Sequence, residues 1–223
     1  MIRPITGEAQ QRGAAREEQS AFAERLLCRI GWPGPNSLAT LGVTSCFPGE
    51  GVTTIAAGLA EEAAGCGKRR VLLADFCLNR PGLHRTLDLE RSPGVCEVLA
   101  GKVEAAQCVQ ESGAENLFLL SAGELASHPS GTDDATAIAA LVQNLKESFD
   151  LVVLDLPPVR EESSTLRLAG LLDGVILVVE AERVRWEIAH QMQEQLRQTG
   201  AKLLGAVLNK CPRHVPDWLY RTL

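Results

Sequence analysis

A chain of 223 residues, 45% hydrophobic and 22% charged, is long and apolar enough to bury one sizeable core, and no apolar run reaches the length that crosses a bilayer. A net charge of -6 withholds the basic surface on which nucleic-acid binding draws, so no nucleic-acid partner is expected. No apolar signal-peptide core follows Met1, and the expected compartment is the cytoplasm. Seven cysteines, an odd number without a C-x-x-C pair, predict reduced, mostly buried thiols. Cys211 and His214 alone are too few ligands for zinc, so no structural metal is expected.

Residues 1–35 divide by composition. Met1 to Arg16 is polar and Ala/Gly-rich and is expected to be a loose tail, whereas Glu17 to Ile30 sets Phe22, Leu26 and Ile30 at helical spacing. The breaker cluster Gly31-Trp32-Pro33-Gly34-Pro35 closes that amphipathic helix. From there to about residue 212, short apolar runs alternate with helical patterns. Strands are predicted at Leu38 to Thr44, Val71 to Asp75, Leu117 to Ser121, Leu151 to Asp155, Gly174 to Val179 and Lys202 to Leu208. Helices are predicted at Thr53 to Ala64, Gly94 to Ala100, Asp133 to Ser148, Ser163 to Leu171 and Arg183 to Thr199. Strands apolar on both faces, separated by helices, indicate an α/β protein: a three-layer α/β/α sandwich with a mainly parallel sheet. Residues 213–223 are expected to be a short C-terminal tail.

The chemistry gathers where strands end. Thr44-Ser-Cys-Phe-Pro48-Gly49-Glu50-Gly51-Val52-Thr53-Thr54 lies between the first strand and the first core helix, where free backbone N–H groups and the positive helix end make an anion site. Gly49 and Gly51 let the backbone approach a phosphate, and Thr53 or Thr54 can hold magnesium or merely cap the helix. A complete phosphate loop carries Lys before the hydroxyl residue, and here that position is Val52. Asp75 and Asp155 close two apolar strands; for Asp155 this is the setting in which a carboxylate orders magnesium, and its plainer alternative is a cap on the next segment.

These landmarks, with Asn79-Arg80-Pro81-Gly82, Phe149-Asp-Leu-Val-Val-Leu-Asp155 and Leu204-Gly-Ala-Val-Leu-Asn-Lys210, resemble the cytoplasmic kinase domain of the bacterial tyrosine kinases that regulate capsule and exopolysaccharide export. Those kinases are relatives of the MinD/ParA-type deviant phosphate-loop ATPases. The resemblance implies ATP or ADP with magnesium as cofactor, Thr53, Asp75 and Asp155 around the metal, Asp75 and Asp155 as catalytic acids, and Asn209 against the adenine. It also implies a partner: the cytoplasmic tail of a membrane polysaccharide co-polymerase, or an active kinase homologue, which would hold the chain at the inner membrane. A homo-oligomer stays open, although the helix with Arg25 and Arg29 lacks the family's Glu-x-x-Arg-x-x-Arg ring pattern.

The departures fall on the reaction. Val52 replaces the family's Lys, Cys77 its second acid, and the C-terminal tyrosine cluster is reduced to Tyr220 as phosphoacceptor candidate. A degenerate kinase, or pseudokinase, is therefore the expected function. The alternatives are a working kinase or ATPase that borrows Lys68, Arg80 or Arg85, and a dinucleotide-binding domain, for which Thr54 stands where a third glycine belongs.

Overall fold

The computed structural model describes residues 6–34, 38–124, 135–161 and 163–212. Strands β1 (Thr40–Ser45), β2 (Val71–Asp75), β3 (Val109–Glu111), β4 (Leu117–Leu120), β5 (Leu151–Asp155), β6 (Gly174–Glu180) and β7 (Leu203–Asn209) form one sheet in the order β3-β4-β2-β5-β1-β6-β7. Every pairing is parallel except that of β3 with β4. The helices are α1 (Thr6–Arg29), α2 (Val52–Gly65), α3 (Leu83–Thr86), α4 (Val95–Leu99), α5 (Ala105–Cys108), α6 (Ala135–Ser148), α7 (Ser163–Ala169) and α8 (Trp186–Gln198).

Alternation along the strands splits the core in two. Leu41, Val43, Leu73, Val153 and Ile176 face α1 and α2, while Leu72, Ala74, Val152, Leu154 and Leu177 face the layer that holds α6 and α8. Because successive side chains of a strand point to opposite faces, strands apolar throughout need a helical layer on each side. The three-layer expectation holds. β5 lies between β1 and β2, whereas the dinucleotide-binding order sets the first two strands side by side, so that alternative is ruled out by topology.

The six anticipated strands are present within two residues of their expected ends. Two local expectations are corrected. The first helix begins at Thr6, not Glu17, so the expected loose tail is helical for most of its length. Its buried stripe is centred on Ala23 and Leu27, with Phe22, Leu26 and Ile30 only partly buried against α2. Helix α1 is also tied to α2 by polar contacts, Gln19 Nε2 to Thr54 O at 3.0 Å and Ser20 Oγ to Glu62 Oε2 at 2.7 Å. All seven cysteines are free thiols, but only Cys46, Cys96 and Cys108 are buried, so they are not mostly buried. Among the described residues no helix is long and apolar enough to cross a membrane.

The strand order positions the site. From β1 the chain crosses to β2 on one side through α2, and from β5 it crosses to β6 on the other side through α7, so connections diverge around the carboxyl ends of β5, β1 and β6. Ligands of open parallel sheets bind at such a divergence.

Candidate functional site

The loop after β1 is built around two left-handed glycines, Gly49 and Gly51, and one buried acid. Gly51 caps α2 with φ 97°, and a Cβ there would strike the Asn209 amide, so glycine is required both by conformation and by space. Glu50 is fully buried; its Oε2 accepts the Cys46 N–H at 2.9 Å, while Oε1 has no partner among the described residues. Burial pushes the Glu50 carboxyl above its ordinary pKa, against the N–H groups of Cys46 and Phe47. No side chain caps α2, so its first-turn N–H groups stay available to an anion. Thr53 is therefore not a helix cap. Its hydroxyl donates to Asp155 Oδ2 at 2.7 Å.

Asp75 and Asp155 end β2 and β5 and are register partners across that parallel pair. Both are buried, yet their surroundings differ. Asp75 accepts N–H groups from Cys77 at 2.9 Å, Gly82 at 3.2 Å and Leu83 at 3.1 Å, which fold the segment after β2 around its carboxylate. Burial nevertheless holds its pKa above the usual range. Asp155 has only the Thr53 hydroxyl on Oδ2, and Oδ1 is buried without a partner among the described residues. Burial, then the charge of Asp75, push the Asp155 carboxyl up to about 7, with the Thr53 hydrogen bond opposing. The capping alternative for Asp155 fails, because its side chain turns to Thr53.

A cleft of about 230 Å³ brings Gly49, Gly51, Val52, Thr53, Cys77 and Asp155 onto one surface. Val52, the first residue of α2, is half-buried and also packs against the core between α2 and the sheet. Of the three cations considered as substitutes, Arg80 lines this cleft, with its guanidinium 3.5 Å from Glu161. Arg85 donates instead to Pro81 O at 2.9 Å, and Lys68 lies just before β2, at the opposite end of the sheet from the loop. Thr54 is exposed on the α1 side and lines a different surface.

Asn209 reaches the site, with its amide on Glu50 O at 2.8 Å, so it braces the loop. Two neighbours that the sequence reading missed do the same: Lys210 Nζ donates to Gly49 O at 2.6 Å, and Arg183 to Pro48 O at 3.3 Å. Both cations also engage Glu180, at 3.3 and 2.8 Å. No local motif marks them, since the contacts join residues more than a hundred positions apart. Tyr220, His128 and His214 lie outside the described residues.

The uncapped α2 terminus, the Thr53 hydroxyl and the unpartnered oxygen of Asp155 fit a phosphate with magnesium, which takes hard oxygen ligands. Cys77 does not fit that ion, because a thiol is a soft ligand.

Sheet order, glycine loop and strand-end acids together define a phosphate-loop NTPase type of α/β/α protein. The sequence matches the family described as cellulose biosynthesis protein BcsQ over residues 38–209, and the chain belongs to that family. It is 33% identical over 182 residues to the tyrosine-protein kinase YwqD of Bacillus subtilis, covering 81% of this chain and 76% of the relative. It is 30% identical over 201 residues to the succinoglycan biosynthesis transport protein ExoP of Rhizobium meliloti, covering 86% of this chain but 25% of ExoP. Among solved structures, the kinase domain of VpsO superposes with a TM-score of 0.78 at 25% identity, covering 93% of this chain and all of that one. The resemblance to bacterial tyrosine kinases therefore holds at the level of family and fold.

Proposed function

We propose that the chain is a degenerate tyrosine kinase, a pseudokinase that binds ATP or ADP weakly, turns it over negligibly, and regulates or scaffolds capsular or exopolysaccharide assembly. The observation that carries this reading is Val52: an apolar side chain anchored in the core stands on the cleft wall where the complete loop has its ammonium. Lys210 and Arg183 do not make up the loss, because they grip the loop carbonyls of Gly49 and Pro48 together with Glu180. A charge-assisted hydrogen bond to phosphate contributes about 1.5–3 kcal/mol, or about 10- to 150-fold in affinity. A donor aimed at transition-state charge contributes about 2.7–4 kcal/mol, or about a hundred- to a thousandfold in rate. Turnover thus suffers more than binding.

When bound, a magnesium nucleotide supplies the polarised phosphoryl group. The first turn of α2 cradles its phosphates, Thr53 and Asp155 orient the ion, and Asp75 shapes the neighbouring segment. The match to a family of cellulose biosynthesis and to part of a succinoglycan transport protein supports a polysaccharide role. In this reading the chain works in the cytoplasm, held peripherally at the inner membrane by the cytoplasmic tail of a polysaccharide co-polymerase or by an active kinase homologue.

A second reading has one observation behind it: Arg80 lines the cleft with a 72% exposed side chain. In that case the protein is a working kinase or ATPase whose cation comes from the segment after β2. Titrating ATP and ADP with magnesium into wild type, Val52→Lys and Arg80→Ala, followed by hydrolysis assays, separates the two. The pseudokinase reading expects negligible wild-type hydrolysis and a gain in affinity of about tenfold or more for Val52→Lys. Robust wild-type turnover that Arg80→Ala abolishes overturns it.

A further inference from the structure

The replacement of an acid by Cys77 does more than remove a charge. β2 delivers Asp75, Cys77 follows two residues later, and β5 delivers Asp155 beside them. One carboxylate oxygen from each acid and the Cys77 Sγ all lie within 4.8 Å of one another. A tetrahedral zinc holds sulfur at about 2.3 Å and oxygen at about 2.0–2.2 Å, which sets its ligand atoms about 3.5 Å apart. Binding draws the three atoms closer by up to about 1.3 Å.

A second observation points independently to a cation. Asp155 is 1% exposed, and its Oδ1 has no hydrogen-bond partner among the described residues. A buried carboxylate oxygen left in this state is costly, and an ion bound at the cleft satisfies it. The three N–H groups on Asp75 leave one lone pair free, on Oδ1, since an ionised carboxylate accepts about four bonds. Cys77 Sγ lies 3.8 Å from Asp155 O, a weak contact that a metal–sulfur bond replaces. Cys77 and Asp155 both line the cleft, which gives an entry path and one open coordination position.

The donor set selects the ion. Two oxygens and one sulfur suit borderline cations such as zinc, whereas magnesium and calcium prefer oxygen throughout. We propose that Asp75, Cys77 and Asp155 form a binding site for a thiophilic divalent cation of the zinc class, with the remaining position open to the cleft. On binding, the Cys77 S–H bond breaks, its proton passes to solvent, and a sulfur–metal bond forms without any change of oxidation state. The site shares Asp155 with the magnesium of a bound nucleotide, so it is tested without nucleotide, and its failure and that of the pseudokinase reading are separately visible.

The test uses the full chain, stripped by a chelator and kept reduced, with cobalt(II) as probe and no nucleotide. One equivalent of cobalt should produce a near-ultraviolet sulfur-to-cobalt charge-transfer band that zinc abolishes at equimolar level and that excess magnesium leaves in place. Cys77→Ser should lose the band and bind zinc at least about tenfold more weakly, while Cys77→Asp should lose the band. In wild type, zinc should also slow alkylation of Cys77 selectively over the exposed Cys28 and Cys211, a readout by mass spectrometry that needs no variant. A band that survives in Cys77→Ser, or alkylation of Cys77 unchanged by zinc, overturns the proposal.

Discussion

Replacing Asp155 by Asn isolates the electrostatic cost of the buried acid pair. In metal-free protein the Asp155 carboxyl is pushed up to about 7 by burial and then by the charge of Asp75, against the Thr53 hydroxyl. An acid whose folded pKa lies above its ordinary value of about 3.9 binds more protons folded than unfolded between those two values, so stability falls as pH rises through that window. Three pH units at about 1.4 kcal/mol each set a ceiling of about 4 kcal/mol at pH 8. Asn keeps an acceptor for Thr53 but brings donors into the interior, at a cost of about 1–3 kcal/mol. The net expectation is a gain of about 1–2 kcal/mol at pH 8, or roughly 2–8 °C in Tm for a chain of this size. Thermal and urea melts of both proteins in chelator from pH 5 to pH 8 measure it. Wild-type stability should decline relative to Asp155→Asn, with the variant weaker at pH 5 and stronger at pH 8. Two parallel profiles, with the variant lower at every pH, would refute the claim that ionised Asp155 burdens the fold.

Gly51→Ala should destabilise the protein by about 1–3 kcal/mol in urea denaturation, because the left-handed backbone disfavours a side chain. The added Cβ also meets the Asn209 amide, and an unchanged midpoint would mean that the loop is not held there. Asp173 supplies a pH dependence of opposite sign. Burial pushes it up, but Lys146 and the hydroxyl and N–H of Thr40 outweigh burial and hold it below its ordinary value. Its contribution is therefore present above the ordinary carboxylate pKa and lost as pH falls through the folded value. Asp173→Ala should cost about 1–2 kcal/mol at pH 7, discounted for partial exposure, and progressively less below about pH 4. A cost independent of pH would show that packing, not charge, holds this junction.

Much of the architecture was legible because burial on both faces leaves a local trace: Leu151-Val-Val-Leu-Asp155 and Val71-Leu-Leu-Ala-Asp75 are apolar without alternation and end in an acid. Strand β3 was not, since Val109-Gln-Glu111 is three residues long, mostly polar, and exists by pairing with β4. The start of α1 was missed for a related reason. Ala/Gly-rich polar composition carries little periodicity, so helix and tail look alike there. In the site, Val52 and Cys77 were visible as departures from a pattern, and the gathering of Gly49, Val52, Thr53 and Asp155 on one cleft followed from strand ends. The burial of Glu50 was invisible, because it depends on the Cys46 N–H across a tight loop. The grip of Arg183, Asn209 and Lys210 was equally hidden, because tertiary contacts between distant segments have no sequence periodicity.

That grip separates the shape of the loop from its use. Gly49, Glu50 and Pro48 carbonyls are held from outside by Lys210, Asn209 and Arg183, so the curvature of the loop does not wait for a ligand to impose it. A ligand that arrives has little ordering entropy to overcome, which favours weak binding over none. Residue 52, on the inner wall, carries none of these three bonds, so its side chain does not set the curvature of the loop. Shape and reaction are thus separable, and a partner that recognises the outer rim would meet a surface whose curvature does not depend on residue 52.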